Sequence, residues 1–306
     1  MRRGFLDISF SWIFALLIGG MILFGAIYGV SKFTSIKNTE TSAELGTELI
    51  NLLTPLETGL ETAKAISISL PVNSRLSHTC LLSGTFGKEK ISLEEKVKGK
   101  WTNSEVNISF EDKYLFFPDG LEAKKVFAFS KSFDFPFKVA NAVYLFDAEK
   151  KYCFVSAPRE IKTELKNTNI DVFEFDDCSG DSEIICFEKD SNCDILVDAD
   201  FDKVTKGDES MYFSGDALMY GAIFSDKDNY ECELNRLLKR AYEVSLIYEI
   251  KSYNLLKRGC DSSLKTEFVE YRNLIDSFDD SRSLSTMESF VKNMNLLNKN
   301  AECSLW

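Results

Sequence analysis

Residues Lys125 to Asp147 read KVFAFSKSFDFPFKVANAVYLFD. Two short runs rich in Val, Phe and Tyr, KVFAFS and AVYLFD, stand on either side of Pro136, a pattern of strands with a break between them. Runs of the same kind recur outward from this stretch: AISISL from Ala65, VNISF from Val106, YLFF from Tyr114, YCFVS from Tyr152, DVFEF from Asp171, EIICFE from Glu183 and CDILVDADF from Cys193. Gly84, Pro118-Asp119-Gly120, Pro158, Ser179-Gly180 and Lys189-Asp190-Ser191 punctuate them. No run alternates with a long helical pattern, which speaks against a doubly wound nucleotide-binding sheet. Residues 65–213 are therefore expected to form an antiparallel, β-rich domain.

After Ser214 the apolar period lengthens to that of helices. Asp228-Asn229-Tyr230-Glu231 reads as a capping box before Leu234, Leu237, Leu238, Ala241, Val244 and Tyr248, and Gly259 stands where a left-handed terminating residue belongs. Leu264, Phe268, Tyr271, Ile275 and Phe278 mark a second helix, and Met287, Phe290, Val291, Met294 and Leu297 a third. Residues 214–306 are thus predicted to be a helical hairpin plus a third helix, packed on the β-rich domain. The fold class is α+β.

Upstream of both lies ISFSWIFALLIGGMILFGAIYGVS, Ile8 to Ser31, 24 residues without a charge between Asp7 and Lys32. Roughly 20 apolar residues cross a bilayer core, whereas a cleaved secretory signal has a shorter apolar region and a small-residue cleavage site. Residues 1–33 are read as a transmembrane anchor of a single-pass protein, with the lipid bilayer as its partner. Residues 34–64 are read as a helical stalk, because Leu45, Leu49, Leu52, Leu56, Leu60 and Ala63 share one helical face and Thr54-Pro55-Leu56-Glu57 can restart a helix. Within the span, Ala15, Gly19, Ile22, Ala26 and Gly29 form a mostly small-residue stripe, and Gly25 with Gly29 makes a G-x-x-x-G element, so helix association through this face is expected.

All eight cysteines lie beyond the span, and none forms a C-x-x-C pair. An even number without metal-type spacing points to disulfides and an extracytoplasmic, oxidising location at the cell membrane. Full connectivity stays open. Two pairs stand out: Cys260 with Cys303, which three helices running up, down and up would bring to one end, and Cys186 with Cys193, across the turn FEKDSN.

With 36 basic against 48 acidic residues among 306, the formal charge is −12, which disfavours a nucleic-acid partner. There is one histidine, His78, and no familiar catalytic motif, so no enzyme is expected. His78 and Cys80 would share a face if the segment is extended, which permits a thiol–imidazole pair, although an even cysteine count favours a disulfide for Cys80. The most specific polar feature is Asp198-x-Asp200-x-Asp202 with Glu209, acidic at positions 1, 3, 5 and 12 of a calcium loop. Lys203 stands where that loop wants Gly, and Lys206 stands at position 9. Two readings stay open: Ca²⁺ ligands, or one solvated face of a strand whose Val197, Ala199 and Phe201 face the core.

Arg2-Arg3-Gly4-Phe5 followed by an apolar helix resembles the leader of type IV prepilins, over about the first 33 residues. That family has Glu at the fifth mature position, where this chain has Ser9, and the chain has Asp7 at the third. Archaeal class III leaders are similar in layout. The segment from Tyr212 to Asp226, YFSGDALMYGAIFSD, resembles uncharacterised, membrane-anchored archaeal proteins. These resemblances imply an archaeal surface protein, possible cleavage after Gly4, and packing of the apolar helix into a filament. The expected function is a structural or interaction role at the cell surface, through self-association or other surface proteins. The pilin-like form and a Ca²⁺-dependent ligand-binding or sensory ectodomain are the open alternatives.

Overall fold

KVFAFS and AVYLFD lie on two strands that pair antiparallel, β5 (Leu121–Asp134) and β6 (Lys138–Asp147), with Phe127 opposite Phe146 and Phe129 opposite Tyr144. Their alternation sorts side chains between two cores. Phe129, Ala142, Tyr144 and Phe146 enter one cluster, while Val126, Ala128, Val143 and Leu145 enter another on the opposite face. A strand buried on both faces reads as a continuous apolar run, as these do.

The computed structural model describes residues 12, 14–30, 65–97, 99–189 and 192–306. Strands β1 (Ala65–Leu81), β2 (Lys88–Val97), β3 (Lys100–Phe110) and β4 (Tyr114–Phe116) complete the first sheet, ordered β3-β2-β1-β5-β6-β4. Apart from Phe117, which directly follows β4, the smaller core is drawn from strands of this sheet. A register shift in β1 between Ser69 and Ser74 brackets Pro71, which has no amide to give a ladder.

The second sheet, ordered β12-β11-β10-β9-β7-β8, contains β7 (Tyr152–Val155), β8 (Phe173–Phe175), β9 (Glu183–Cys186), β10 (Ile195–Asp198), β11 (Lys203–Lys206) and β12 (Glu209–Tyr212). Here the antiparallel expectation is corrected. β7 pairs parallel with β8 and β9, β9 parallel with β10, and in the first sheet β4 parallel with β6. Parallel neighbours need a crossover, and helix α2 (Arg159–Asn167), too short to register as a helical run, supplies it between β7 and β8.

Six α-helices occur among the described residues. Numbering residues 14–30 as α1, the others are α2, α3 (Gly215–Phe224), α4 (Lys227–Leu256), α5 (Lys265–Asp276) and α6 (Leu284–Asn300). Helices α3 to α6 bury Leu218, Tyr220, Leu234, Leu237, Phe268, Tyr271, Met287 and Met294 in the larger core, with Phe116, Phe129 and Phe154 from the sheets. Gly221 lets α3 lie on β4, since a Cβ there would meet the Phe116 ring at 2.8 Å. Gly259 ends α4 with a φ of 88°, as expected. The cap of α4 is corrected: Asp226, not Asp228, accepts the Asn229 amide at 2.8 Å, and Glu231 instead binds the amide and hydroxyl of Ser281 at 2.9 and 2.6 Å.

All eight cysteines are bonded, as Cys80–Cys232, Cys153–Cys178, Cys186–Cys193 and Cys260–Cys303. The last two are the pairs that the sequence singled out. Four disulfides fit an oxidising environment.

Among the described residues no helix is long and apolar enough to cross a membrane. Helix α1 covers 14–30 of the predicted Ile8–Ser31 span, and its large apolar side chains are exposed, Met21 to 79%. Ala15, Gly19, Gly25, Ala26 and Gly29 lie on it, and a Cβ at Gly19, Gly25 or Gly29 would meet nothing within 4 Å. The leader Arg2–Phe5 and the stalk 34–64, with its Thr54–Glu57 capping box, lie outside the described residues.

Candidate functional site

The β1–β2 register assembles the most unusual chemistry in the chain. Cys80 stands opposite Glu89, and His78, two residues back on β1, shares their face. Helix α4 lies against that face with a polar seam, Asp226, Asn229, Glu233 and Arg236, at intervals of three, four and three. Glu89, Asn229, Glu233 and Arg236 are each fully buried.

Asp226 joins three elements. Its Oδ2 accepts the Asp119 amide at 2.7 Å and lies 3.2 Å from His78 Nε2, while Oδ1 accepts the Asn229 amide at the helix start. Burial pushes this carboxyl up, but the bonds from His78 and the two amides outweigh it and hold the group down at about 2. A carboxylate so placed is ionised and can only accept. His78 Nε2 therefore donates to it, and Nδ1 on the other side of the ring lies 3.7 Å from Glu89 Oε1.

At the centre, Glu233 receives Arg236 Nη1 on both oxygens at 2.7 and 2.9 Å. The guanidinium also donates to the carbonyls of Lys113 and Phe110 at 2.9 and 3.1 Å and lies over the Tyr114 ring. Its stem rests on Gly87, in the turn between β1 and β2, where a Cβ would meet the Leu81 carbonyl oxygen at 2.7 Å and Arg236 Cγ at 3.0 Å. Glu89 has no such support. Its carboxyl group meets that of Glu233, and neither its oxygens nor His78 Nδ1 is paired with a backbone amide, hydroxyl or basic side chain within hydrogen-bond length. Burial, reinforced by the charge of Glu233, pushes the Glu89 carboxyl well above the usual carboxylate range. Burial raises Glu233 as well, against the pull of Arg236.

A cleft of about 390 Å³ opens beside the cluster, lined by His78, Cys80, Asp119, Glu209, Asp226 and Cys232 among others. The thiol–imidazole pair is corrected by the Cys80–Cys232 bond: the sulfur has no thiolate to attack with, and the imidazole is directed to carboxylates. What the arrangement can do is hold a proton between the facing carboxyl groups of Glu89 and Glu233. Cys80, Glu89 and Glu233 are the only group of three or more metal-ligating side chains that converge among the described residues.

The predicted calcium ligands do not converge. Asp198 ends β10 and folds back on its own chain, Oδ1 accepting the amides of Asp200 and Phe201 at 3.2 and 3.3 Å. That turn also ends the strand the alternative reading needs, since Phe201 is 69% exposed and not in the core. Asp202 sits in the turn with a φ of 48°, and Glu209, at the start of β12, reaches the cleft instead.

Glu89, Glu233 and Arg236 were missed from sequence. Leu234, Leu237, Leu238 and Ala241 dominate the helix pattern, although the polar spacing 226, 229, 233, 236 could have revealed a second inward stripe. Comparison of the chain with models of protein families, with curated proteins and with solved structures finds no match.

Proposed function

We propose that the chain is a membrane-anchored extracytoplasmic protein with a structural or interaction role at the cell surface, its residues beyond the apolar stretch folded in an oxidising compartment. The observation that carries this reading is the contrast between the two parts of the chain. Around α1, large apolar side chains such as Trp12, Leu17, Met21 and Phe24 lie open, while every cysteine downstream is bonded. Leaving each such side chain in water forfeits about 1.5–3 kcal/mol relative to burial, so an apolar cover is required. A bilayer provides it for the 24 uncharged residues Ile8–Ser31.

The resemblance to prepilin leaders supports a cell-surface placement, and the pilin-like form adds that α1 leaves the bilayer for a filament. Alkaline carbonate extraction of membranes from cells making the full chain tests the anchor. The chain stays with the membrane pellet, and Leu17→Arg with Met21→Arg moves it to the supernatant. Extraction of the unaltered chain would refute the reading. Mass spectrometry of its N-terminus separates the two forms: an intact Arg2-Arg3 peptide fits a simple anchor, and a start at Phe5 fits the pilin-like form.

A further inference from the structure

Two carboxyl groups face each other inside the polar cluster. The side chains of Glu89, on β2, and Glu233, on α4, are each 0% exposed, with an oxygen of one within 4.8 Å of an oxygen of the other. Cys80, the third side chain at this point, is bonded to Cys232, so the trio is not a metal site. The guanidinium beside them, Arg236, gives Nη1 to both oxygens of Glu233. The remaining neighbours leave Glu89 without a paired cation. β1 sets Cys80 opposite it, β3 sets Phe110 opposite it, and the Tyr114 ring lies beneath the guanidinium. His78 Nδ1 stands 3.7 Å away, beyond hydrogen-bond length, and Nε2 donates to Asp226, a third carboxylate.

Two glutamates ionised together would set two negative charges against one guanidinium in a dry interior, and paired carboxyl groups escape this by keeping one proton. We propose that Glu89 and Glu233 share one proton, and that this proton is a pH-sensitive clasp of β2 on α4. With it in place, the Glu89 carboxyl donates to Glu233 while Glu233 keeps its pair with Arg236. When it leaves, Glu89 is a buried, unpaired charge repelled by Glu233, and the packing of β2 on the helix loosens. Cys80, the register partner of Glu89, stays tied to α4 through Cys232. The opening is therefore local to the cleft that His78, Cys80, Asp226 and Cys232 line, and it closes when the proton returns.

Burial and the charge of Glu233 raise the Glu89 carboxyl from 4.5 to about 9. Between these values the folded chain holds a proton that the unfolded chain releases. The contribution of the clasp is therefore complete below about 4.5 and falls as pH rises to about 9. Lys206 acts in the opposite sense, its ammonium being lowered by burial from 10.5 to about 8, so variants of the two groups separate their effects.

The test uses the full chain in detergent, purified without reductant. Infrared spectra in D₂O are expected to show the band of a protonated carboxyl group at neutral pH, lost as pH passes about 9. Glu89→Gln, whose neutral amide donates to Glu233 in place of the proton, is expected to lack that band. Hydrogen exchange gives the conformational reading. Above about pH 9 the amides of β2, Lys88–Val97, are expected to exchange at least about tenfold faster in the unaltered chain than in Glu89→Gln, and at neutral pH equally. His78→Gln is expected to keep both the band and the alkaline acceleration. Near-ultraviolet circular dichroism checks that each variant is folded. If Glu89→Gln does not fold, the band of the unaltered chain and the pH of its loss decide alone. No protonated band at neutral pH, a band lost well below pH 9, a band unchanged in folded Glu89→Gln, equal exchange of β2 in alkali, or an acceleration abolished by His78→Gln would each overturn the proposal.

Discussion

His78 Nε2 and Asp226 Oδ2 lie 3.2 Å apart although 148 residues separate them, and through this contact the end of β1 is fixed to the start of α4. The same aspartate caps the helix and holds the turn at Asp119. Replacing Asp226 with Ala removes a helix cap, worth about 1 kcal/mol, and leaves the Asp119 amide and the imidazole without their charged acceptor. The expected loss is about 2–4 kcal/mol in urea unfolding at unchanged slope, and a loss below about 0.5 kcal/mol would show that the junction is held elsewhere.

The disulfides should differ in strength. Cys80–Cys232 closes 152 residues and Cys186–Cys193 only 7. On the chain-entropy account the first restricts the unfolded chain by about 5 kcal/mol and the second by about 2. Paired Cys→Ser variants compared by denaturant unfolding are expected to fall in that order. The reverse order would mean that strain or residual structure in the unfolded chain dominates.

Lys206 donates to the carbonyls of Ile223 and Ser225 at 2.7 and 2.6 Å, closing the end of α3, where a positive charge suits the exposed carbonyls. Burial nevertheless lowers its ammonium from 10.5 to about 8. Between these values the unfolded chain binds more protons than the folded one, so stability should rise as pH increases from about 8 to about 10.5. The rise is expected to disappear in Lys206→Met. An equal pH slope in both proteins would assign it to other groups.

Gly221 is expected to tolerate no side chain. Its added Cβ would stand 2.8 Å from the Phe116 ring, itself packed between Tyr144 and Tyr230. Gly221→Ala should cost about 1–3 kcal/mol by overpacking, despite the better helix propensity of Ala. A stability equal to the parent would mean that α3 can lift from β4 freely.

Helices α4, α5 and α6 were legible because each buries one apolar stripe, and Cys260–Cys303 followed from their up, down and up course. Strand β2 was not, since KEKISLEEKV carries charges at most positions and one of them, Glu89, points inward. The hairpin of β11 and β12 hid in a polar stretch turned by Gly207, which has a φ of 55°. Parallel pairing leaves little local trace, because its partners are set by crossovers and not by turns. The cluster around Glu89 was the least legible: it depends on charged side chains being buried, contrary to their usual preference, and on a register between β1 and β2 that apolar alternation does not reveal.

The anchored chain proposed above holds its disulfides outside the cytoplasm, and thiol labelling tests this most directly. Intact cells making the full chain are treated with a membrane-impermeant alkylating reagent, with and without prior exposure to an impermeant reductant, and the protein is weighed. No label is expected before reduction, and after it up to eight labels, first among them Cys80, Cys232, Cys260 and Cys303, none of which is buried. Labelling that requires cell lysis, with all eight thiols free before any reduction, would contradict it.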